Sequence, residues 1–366
     1  MTPTILSDAE RLCWHRLAQS ENVGPVTFGQ LLGRYGSAAA ALEAIPELSK
    51  RGGLRRPLKL YEQSRAEDDF AAAAALGARY VASCEPDYPA LLRHAPGPPP
   101  LLCLIGETSF LARPALAVVG ARNASASGLR FTRNLAGALG ETGFAIVSGL
   151  ARGIDTAAHE ASLNTGTIAI VAGGLDHFYP PENEKLQRAI ALRGLLISEM
   201  PPGRVPKAEY FPRRNRIIAG VAQGTIIVEA ALRSGSLSTA RFANEAGREV
   251  FAVPGSPLDP RCEGTNGLIK DGAHMLTRVN DVIDVLGLST HTNLLYVEEP
   301  LPSISLEAPD TLRARVVNLL SPTPIDLDDL VREARAAPEQ LMGIVMELEL
   351  AGQLLRLSGG KIVKAT

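Results

Sequence analysis

Residues 115–128 read ALAVVGARNASASG: five apolar residues, a glycine, then a short polar turn built from small side chains. A run this short, with no polar residue alternating into it, is what a strand covered on both faces looks like. The unit returns downstream. FAIVS (144–148), TIAIVA (167–172), GLLISE (194–199), GTIIVEA (224–230) and EVFAV (249–253) are further apolar runs, separated by helix-like stretches at 128–139, 155–163, 183–193 and 236–246. Strands and helices in alternation predict an α/β chain with an extended Rossmann-like, doubly wound, mostly parallel sheet. Such sheets bind ligands outside the carboxyl ends of their strands, so the turns after the strands are where function is to be sought.

The flanks differ from this middle. Residues 1–66 predict a small helical domain in which VGPVTFGQLLGRYG (23–36) sets a Gly-Pro turn before an apolar helix, as in half of a helix-hairpin-helix or SAM-like unit. That turn could offer N–H groups to a phosphate or simply pack, and RGGLRRP (51–57) reads equally as a basic tract or a solvated linker. The sheet domain is expected over 67–287. Residues 288–310 carry three prolines and no clear period, which predicts a linker. In 311–366 three helix candidates precede two short strands around Gly359 and Gly360, which predicts a winged helix.

At 366 residues the chain is long enough for two or three domains. Its 37 Lys and Arg against 39 Asp and Glu leave a formal charge of -2, so any attraction for a polyanion must come from a local concentration of base. Cys13, Cys84, Cys103 and Cys262 form no CxxC pair and predict reduced thiols, with no metal site. Asp8 and Glu10 stand where a signal peptide needs basic residues, and no apolar run approaches a membrane span; a soluble, cytoplasmic chain is expected.

Three turns carry the chemistry. The first, with Gly120 and Arg122, opens a helix and aims N–H groups at an anion, yet it is not GxGxxG, and the second strand ends in Ser148 where a dinucleotide site would place an acid. No cofactor is expected, and no GxxxxGK[ST] occurs. In SGLARGIDTAAHEAS (148–162), Ser148 and Gly149 suggest a second anion-accepting turn within reach of Arg152, with Asp155 as the next helix cap. A catalytic Ser148, Asp155 and His159 set is the competing reading, but nothing in the spacing places the histidine to activate the serine. RSGSLSTA (233–240) supplies the third turn, in which Arg233, Ser234, Gly235 and Ser236 open another helix. Asp176 and His177 in GGLDHFYPPEN (173–183) could suggest a metal; without HxH or HxxxH spacing a structural turn is preferred.

RVPKAEYFPRRNRIIAG (204–220) holds Arg204, Lys207, Arg213, Arg214 and Arg216 against the single acid Glu209, with Tyr210 and Phe211 interleaved. Cations that follow a backbone and a ring on which a base can stack are what single-strand binding requires. A solvated basic loop is the bland alternative; the nearby Gly-Ser turn favours the former.

In order, SGLARGIDTAAHEAS, GGLDHFYPPEN, ISEMPPG, FPRRNRIIAG, VEAALRSGSLSTA and EVFAVPGS closely resemble the DNA-processing protein A family (DprA/Smf), over about residues 101–284. The resemblance implies a homodimeric bacterial protein, without catalytic turnover, that protects incoming single-stranded DNA and helps load the RecA recombinase onto it during natural transformation. It implies Arg122 as a phosphate-holding residue and Lys207, Phe211, Arg214 and Arg216 as the basic-aromatic strip. Arg233 stands where many relatives have lysine, and GARNASASG departs from the family's usual first turn.

The competing class is an enzyme similar to the phosphoribohydrolases, which carry PGGxGTxxE; here Glu245 falls nine residues beyond Ser236, out of register. The helix expected at 338–351 holds Glu339, Glu347 and Glu349 and no Lys or Arg, so it should pack or contact protein, leaving Arg356, Lys361 and Lys364 as at most minor DNA contacts.

Overall fold

The computed structural model describes residues 4–51, 58–286 and 310–364, except 339, 342–343, 346–347, 349–353 and 357–360. Residues 52–57 of the basic tract, residues 288–309 of the linker expected at 288–310 and the three glutamates expected on the last helix lie outside the described residues, while Asp310 already opens a helix.

Four helices lead the chain: α1 (Asp8–Gln19), α2 (Pro25–Tyr35), α3 (Ala38–Arg51) and α4 (Gln63–Ala75). Ser7 caps α1 by accepting the Glu10 N–H. Pro25 occupies the first turn of α2, where its missing N–H costs nothing, and Gly36 closes that helix at φ 77°. α4 runs on through residue 66. The helices share a core with the sheet edge, where Trp14, Leu17 and Phe28 meet Tyr80, Leu101 and Cys103.

The middle of the chain then alternates: β1 (Arg79–Ala82), α5 (Ala90–Arg93), β2 (Leu101–Gly106), β3 (Ala115–Gly120), α6 (Ala126–Glu141), β4 (Ala145–Ser148), α7 (Ile154–Ser162), β5 (Thr167–Val171), α8 (Glu184–Arg193), β6 (Leu195–Ser198), α9 (Tyr210–Val221), β7 (Gly224–Val228), α10 (Ser236–Glu245), β8 (Glu249–Ala252), α11 (Glu263–Lys270), β9 (His274–Met275) and α12 (Val279–Leu286). Nine strands make one sheet in the order β1-β2-β6-β5-β4-β3-β7-β8-β9. Only the β1–β2 and β2–β6 pairs are antiparallel. The parallel interior is the extended, doubly wound sheet that the apolar runs predict, and β3, β4, β5 and β7 are almost wholly buried because helices cover both faces.

The chain winds outward from β3 through β4, β5 and β6, then returns to lay β7 on the other side of β3. The sheet therefore reverses between β3 and β7, whose register pairs Gly120 with Val228. A Cβ on Gly120 would stand 1.8 Å from the Val228 carbonyl oxygen, so only glycine permits that closeness. The first and second turns also meet backbone to backbone. The Ile154 N–H donates to Ala121 O at 3.2 Å, and Gly153, at φ 75°, leaves no room for a side chain against that carbonyl.

α13 (Asp310–Leu319), β10 (Ile325–Asp326), α14 (Leu327–Ala334), β11 (Leu354–Arg356) and β12 (Lys361–Lys364) form the C-terminal winged-helix domain, with its strands ordered β10-β12-β11. Leu341, Ile344, Val345 and Leu348 complete its core. The domain seats on α6, where Ala126 and Leu129 join its apolar cluster and Arg130 and Arg133 pair with Asp329 and Glu333 of α14.

Candidate nucleic-acid interface

A cleft of about 600 Å3 opens at the carboxyl ends of β3 and β7, where the sheet reverses. Residues from all three turns line it, among them Gly120 and Arg122, Ala151, and Arg233 to Ser236. The convergence expected from the sequence is present. The turns are not equivalent, however.

At the first turn the α6 N-terminus already holds an anion of the protein's own. Ser125 caps α6 by accepting the Gly128 N–H at 3.0 Å. Its own N–H donates to Glu229 Oε2 at 2.8 Å, and its hydroxyl donates to Glu229 Oε1. Glu229 follows β7, is buried, and adopts φ 51°, a left-handed backbone that a residue with a side chain rarely takes. The anion-accepting capacity expected of this helix end is therefore satisfied internally. Arg122 remains exposed on the turn; no carboxylate among the described residues pairs with it, and its guanidinium lies 5.4 Å from the centre of the Phe211 ring.

The second turn is likewise occupied, which corrects its reading as an open phosphate cradle. The N–H groups of Gly149 and Ala151 donate to Asp155 Oδ2 at 3.1 and 3.3 Å. Asp155 is the second residue of the helix, within its first turn, and Gly153 takes the cap position. The Ser148 hydroxyl is buried and donates to Val118 O at 2.6 Å. Burial pushes the Asp155 carboxyl up, while the charge of Arg214 and the two N–H groups hold it down. Burial, aided by Arg214, drives His159 down to about 3, so its ring is neutral; it bonds the Thr167 hydroxyl at 2.7 Å and leaves its other nitrogen without a partner. Neither ring nitrogen engages the serine side chain, so the Ser148, Asp155 and His159 set does not assemble as a nucleophile and base. Arg152 points elsewhere. It pairs with Glu182 at 2.5 Å, away from the cleft.

Only the third turn is free of an internal carboxylate. Gly235 occupies the cap position of α10 without a side-chain cap. Ser234 and Ser236 bond each other at 2.7 Å, and Asn215 Nδ2 donates to Gly235 O and Ser238 Oγ, which fixes the turn against α9. Arg233 is exposed and has no carboxylate partner among the described residues. The Ser236 N–H donates to Ser234 Oγ at 3.3 Å and the Leu237 N–H to Ser234 O at 3.2 Å, so what this helix end presents between Arg122 and Arg233 is its positive dipole without a carboxylate of the protein's own.

From Tyr210 onward the basic-aromatic segment is the helix α9, and helical rotation sorts the cations it carries. Arg213 faces outward and Arg216 is mostly covered; both pair with Glu199, at 3.3 and 2.7 Å, and Arg216 also donates to Gly97 O. Arg214 points inward. It is buried, donates from Nη1 to Gly149 O and Ile170 O, and burial lowers it to about 10 despite Asp155. It therefore props the second turn from beneath. Phe211 stands between Arg122 and Arg214 with Tyr179 5.3 Å away, and exposed Lys207 lies 6.0 Å from the Tyr210 ring.

Sequence reasoning did not single out Glu229, Asn215 or Glu199. A lone acid closing the apolar run GTIIVE is the one signal that could have marked Glu229. Elsewhere, both Asp176 oxygens accept the Gly203 N–H at 2.9 Å, a structural turn. Glu245 pairs with Arg241 at the far end of α10 and does not line the cleft. No described helix is long and apolar enough to cross a membrane.

Residues 79–287 match the family described as DNA recombination-mediator protein A, residues 8–72 a DprA-like N-terminal HHH domain, and residues 300–360 a DprA winged helix domain. Protein Smf of Synechocystis sp. is 36% identical over 304 residues, 77% of this chain and 74% of the relative. Protein Smf of Escherichia coli is 39% identical over 285 residues, 75% and 74% of the two chains. Among solved structures, DNA processing protein A (DprA) from Streptococcus pneumoniae superposes with TM-score 0.63 at 33% identity, covering 77% of this chain and 98% of that one. DNA processing protein A from Helicobacter pylori, whose structure is described as giving insights into its single-stranded DNA binding mode, superposes with TM-score 0.53 at 31% identity, covering 57% and 95%.

Proposed function

This chain belongs to the DNA recombination-mediator protein A family, and from that premise we propose that it binds single-stranded DNA through phosphates seated in the crest cleft and loads RecA onto the strand during natural transformation. The observation that carries the reading is that two carboxylate-free arginines, Arg122 and Arg233, line one cleft at the N-terminus of α10, with Phe211 beside them. Charge and backbone N–H groups hold phosphates without regard to base, and the ring offers a stacking surface that every base can use. Lys207 and Arg213 extend the positive rim, while Arg214 and Arg216 act by holding the cleft's shape. Ser148 and Gly149 contribute in the same indirect way.

In this reading the protein is a homodimeric cytoplasmic binder without catalytic turnover. The relatives' names and the single-strand-binding description of the Helicobacter pylori protein support the DNA class. The test is a salt series of fluorescence anisotropy with oligothymidine, run with light scattering for mass. Steep weakening with salt and a twofold protomer mass are expected; binding that ignores salt would end the phosphate reading. RecA loading is tested by filament nucleation on the same oligonucleotide, which the protein should accelerate and which Arg122→Ala should not.

A further inference from the structure

We propose that the cleft between the sheet domain and the winged-helix domain is a second segment of the DNA track, which takes the sugar-phosphate backbone of the same single strand as it leaves the crest past Arg122. This rests on the crest reading above. Arg122 and Asn123 line both the crest cleft and a neighbouring cleft of about 760 Å3, so the first turn is a ridge shared by the two. Beyond it, Arg133 and Arg152 stand on the sheet-domain wall, facing Arg315 and Arg335 on the winged-helix wall. With Arg122 that makes five arginines lining the cleft against three glutamates, Glu160, Glu182 and Glu333.

Arg133 is held by the nearly buried Glu333 in the contact that seats the winged-helix domain, but the other ion pairs along the cleft are of a kind that a phosphate can replace. Arg335 reaches Glu160 only at 3.7 Å with 74% of its side chain exposed, and Arg133 is 3.9 Å from the same carboxylate. The Arg152–Glu182 pair is close, yet both side chains are more than half exposed. Exposed pairs contribute about 0–1 kcal/mol, whereas a phosphate that displaces them also releases its condensed counterions. Arg315 donates from Nη1 to Ala334 O at 3.0 Å, a bond that aims the guanidinium without neutralising it. A polyanion is thus the chemistry that fits, and continuity at Arg122 makes it the strand already held in the crest. This placement also gives Arg152 a use: its guanidinium serves the interdomain cleft and not the second turn.

The test compares oligothymidines of about 6 and about 25 nucleotides by anisotropy, using the full chain. Arg152→Ala with Arg335→Ala should leave affinity for the short strand within twofold, weaken the long strand about tenfold, and reduce its log–log salt slope by about 1.4, about 0.7 for each lost contact. The corresponding double Lys variant should recover most of the loss. Because Arg335 closes α14 with φ 51°, Arg152→Ala alone, which breaks only an exposed pair, should show about half the slope change in a chain of unaltered melting temperature. Equal behaviour of wild type and double variant on the long strand would overturn the proposal, as would an equal loss on both lengths. A glutamate-rich peptide that displaces the long strand only to its short-strand affinity would instead assign the cleft to an acidic protein partner. Failure of the crest reading is separable, since it shows as short-strand affinity that Arg122→Ala does not change.

Discussion

The carboxylate of Glu229 accepts the backbone N–H of Ser125 at 2.8 Å, across 104 residues of sequence, and so places the protein's own anion at the N-terminus of α6. Asp155 does the same for the second turn. Two of the three turns at the crest thereby carry a carboxylate of the protein's own, and the third, before α10, carries none among the described residues.

Removing the first of these anions should cost stability. Glu229→Ala strands the buried Ser125 N–H, worth about 1–3 kcal/mol when unsatisfied, while the Ser125 hydroxyl keeps Ser127 Oγ at 2.8 Å. Chemical denaturation should show a loss within that range or somewhat above it. A variant as stable as wild type would mean that water replaces the carboxylate.

Arg122 and Arg233 are exposed, so their loss should be felt in binding alone. Arg122→Ala and Arg233→Ala should each lower oligothymidine affinity and reduce the log–log salt slope by about 0.7, with unchanged melting. If neither changes affinity, the cleft is not the phosphate seat.

Arg214→Ala should behave differently from its neighbours on the helix. Its guanidinium satisfies two backbone carbonyls and its charge holds down the buried Asp155 carboxyl, and each buried acceptor left unsatisfied costs about 1–3 kcal/mol. The expected result is a destabilised or poorly folded chain, read by thermal melting before any DNA is added.

Phe211→Ala should reduce affinity by about 1–3 kcal/mol, the usual worth of one base–aromatic stack, and leave the salt slope alone. Phe211→Trp should retain binding. A changed slope in the alanine variant would show that the ring mainly positions Arg122.

Acid should weaken the fold through His159. Its pKa is about 3 in the folded chain, below the ordinary 6.5, so the unfolded chain binds a proton that the native one excludes. Its contribution is complete above pH 6.5 and is lost as pH falls from there toward 3, at no more than about 1.4 kcal/mol per pH unit. Asp155, raised by burial, acts in the opposite sense just above its ordinary range. Unfolding free energies between pH 7 and 4.5 should therefore fall less steeply in His159→Asn, which keeps a polar atom for Thr167 without titrating.

The strands β3 to β8 were legible because burial on both faces leaves a continuous apolar run, and those of β3, β4 and β7 lead through a glycine or serine turn into a helix, whereas β1, β9 and the helix α9 leave no such mark. The crest followed from that order alone. The fate of each cation at the crest did not. Arg213, Arg214 and Arg216 are near neighbours of one type in sequence, yet a helix advances about 100° per residue, which turns Arg214 into the core and leaves Arg213 and Arg216 sharing Glu199. Without knowing that the segment is helical, no reading of composition separates them.

The chain's own sequence determined the doubly wound sheet, its helical and winged flanks and the three turns at one edge, because local patterns of apolar spacing and turn residues are read within a dozen positions. Only the tertiary structure decided which turns hold a carboxylate of the protein's own. That depends on Glu229 reaching Ser125 and on Asp155 folding back over Gly149, and a buried charge chooses its partner by three-dimensional proximity and desolvation, neither of which is written in neighbouring residues.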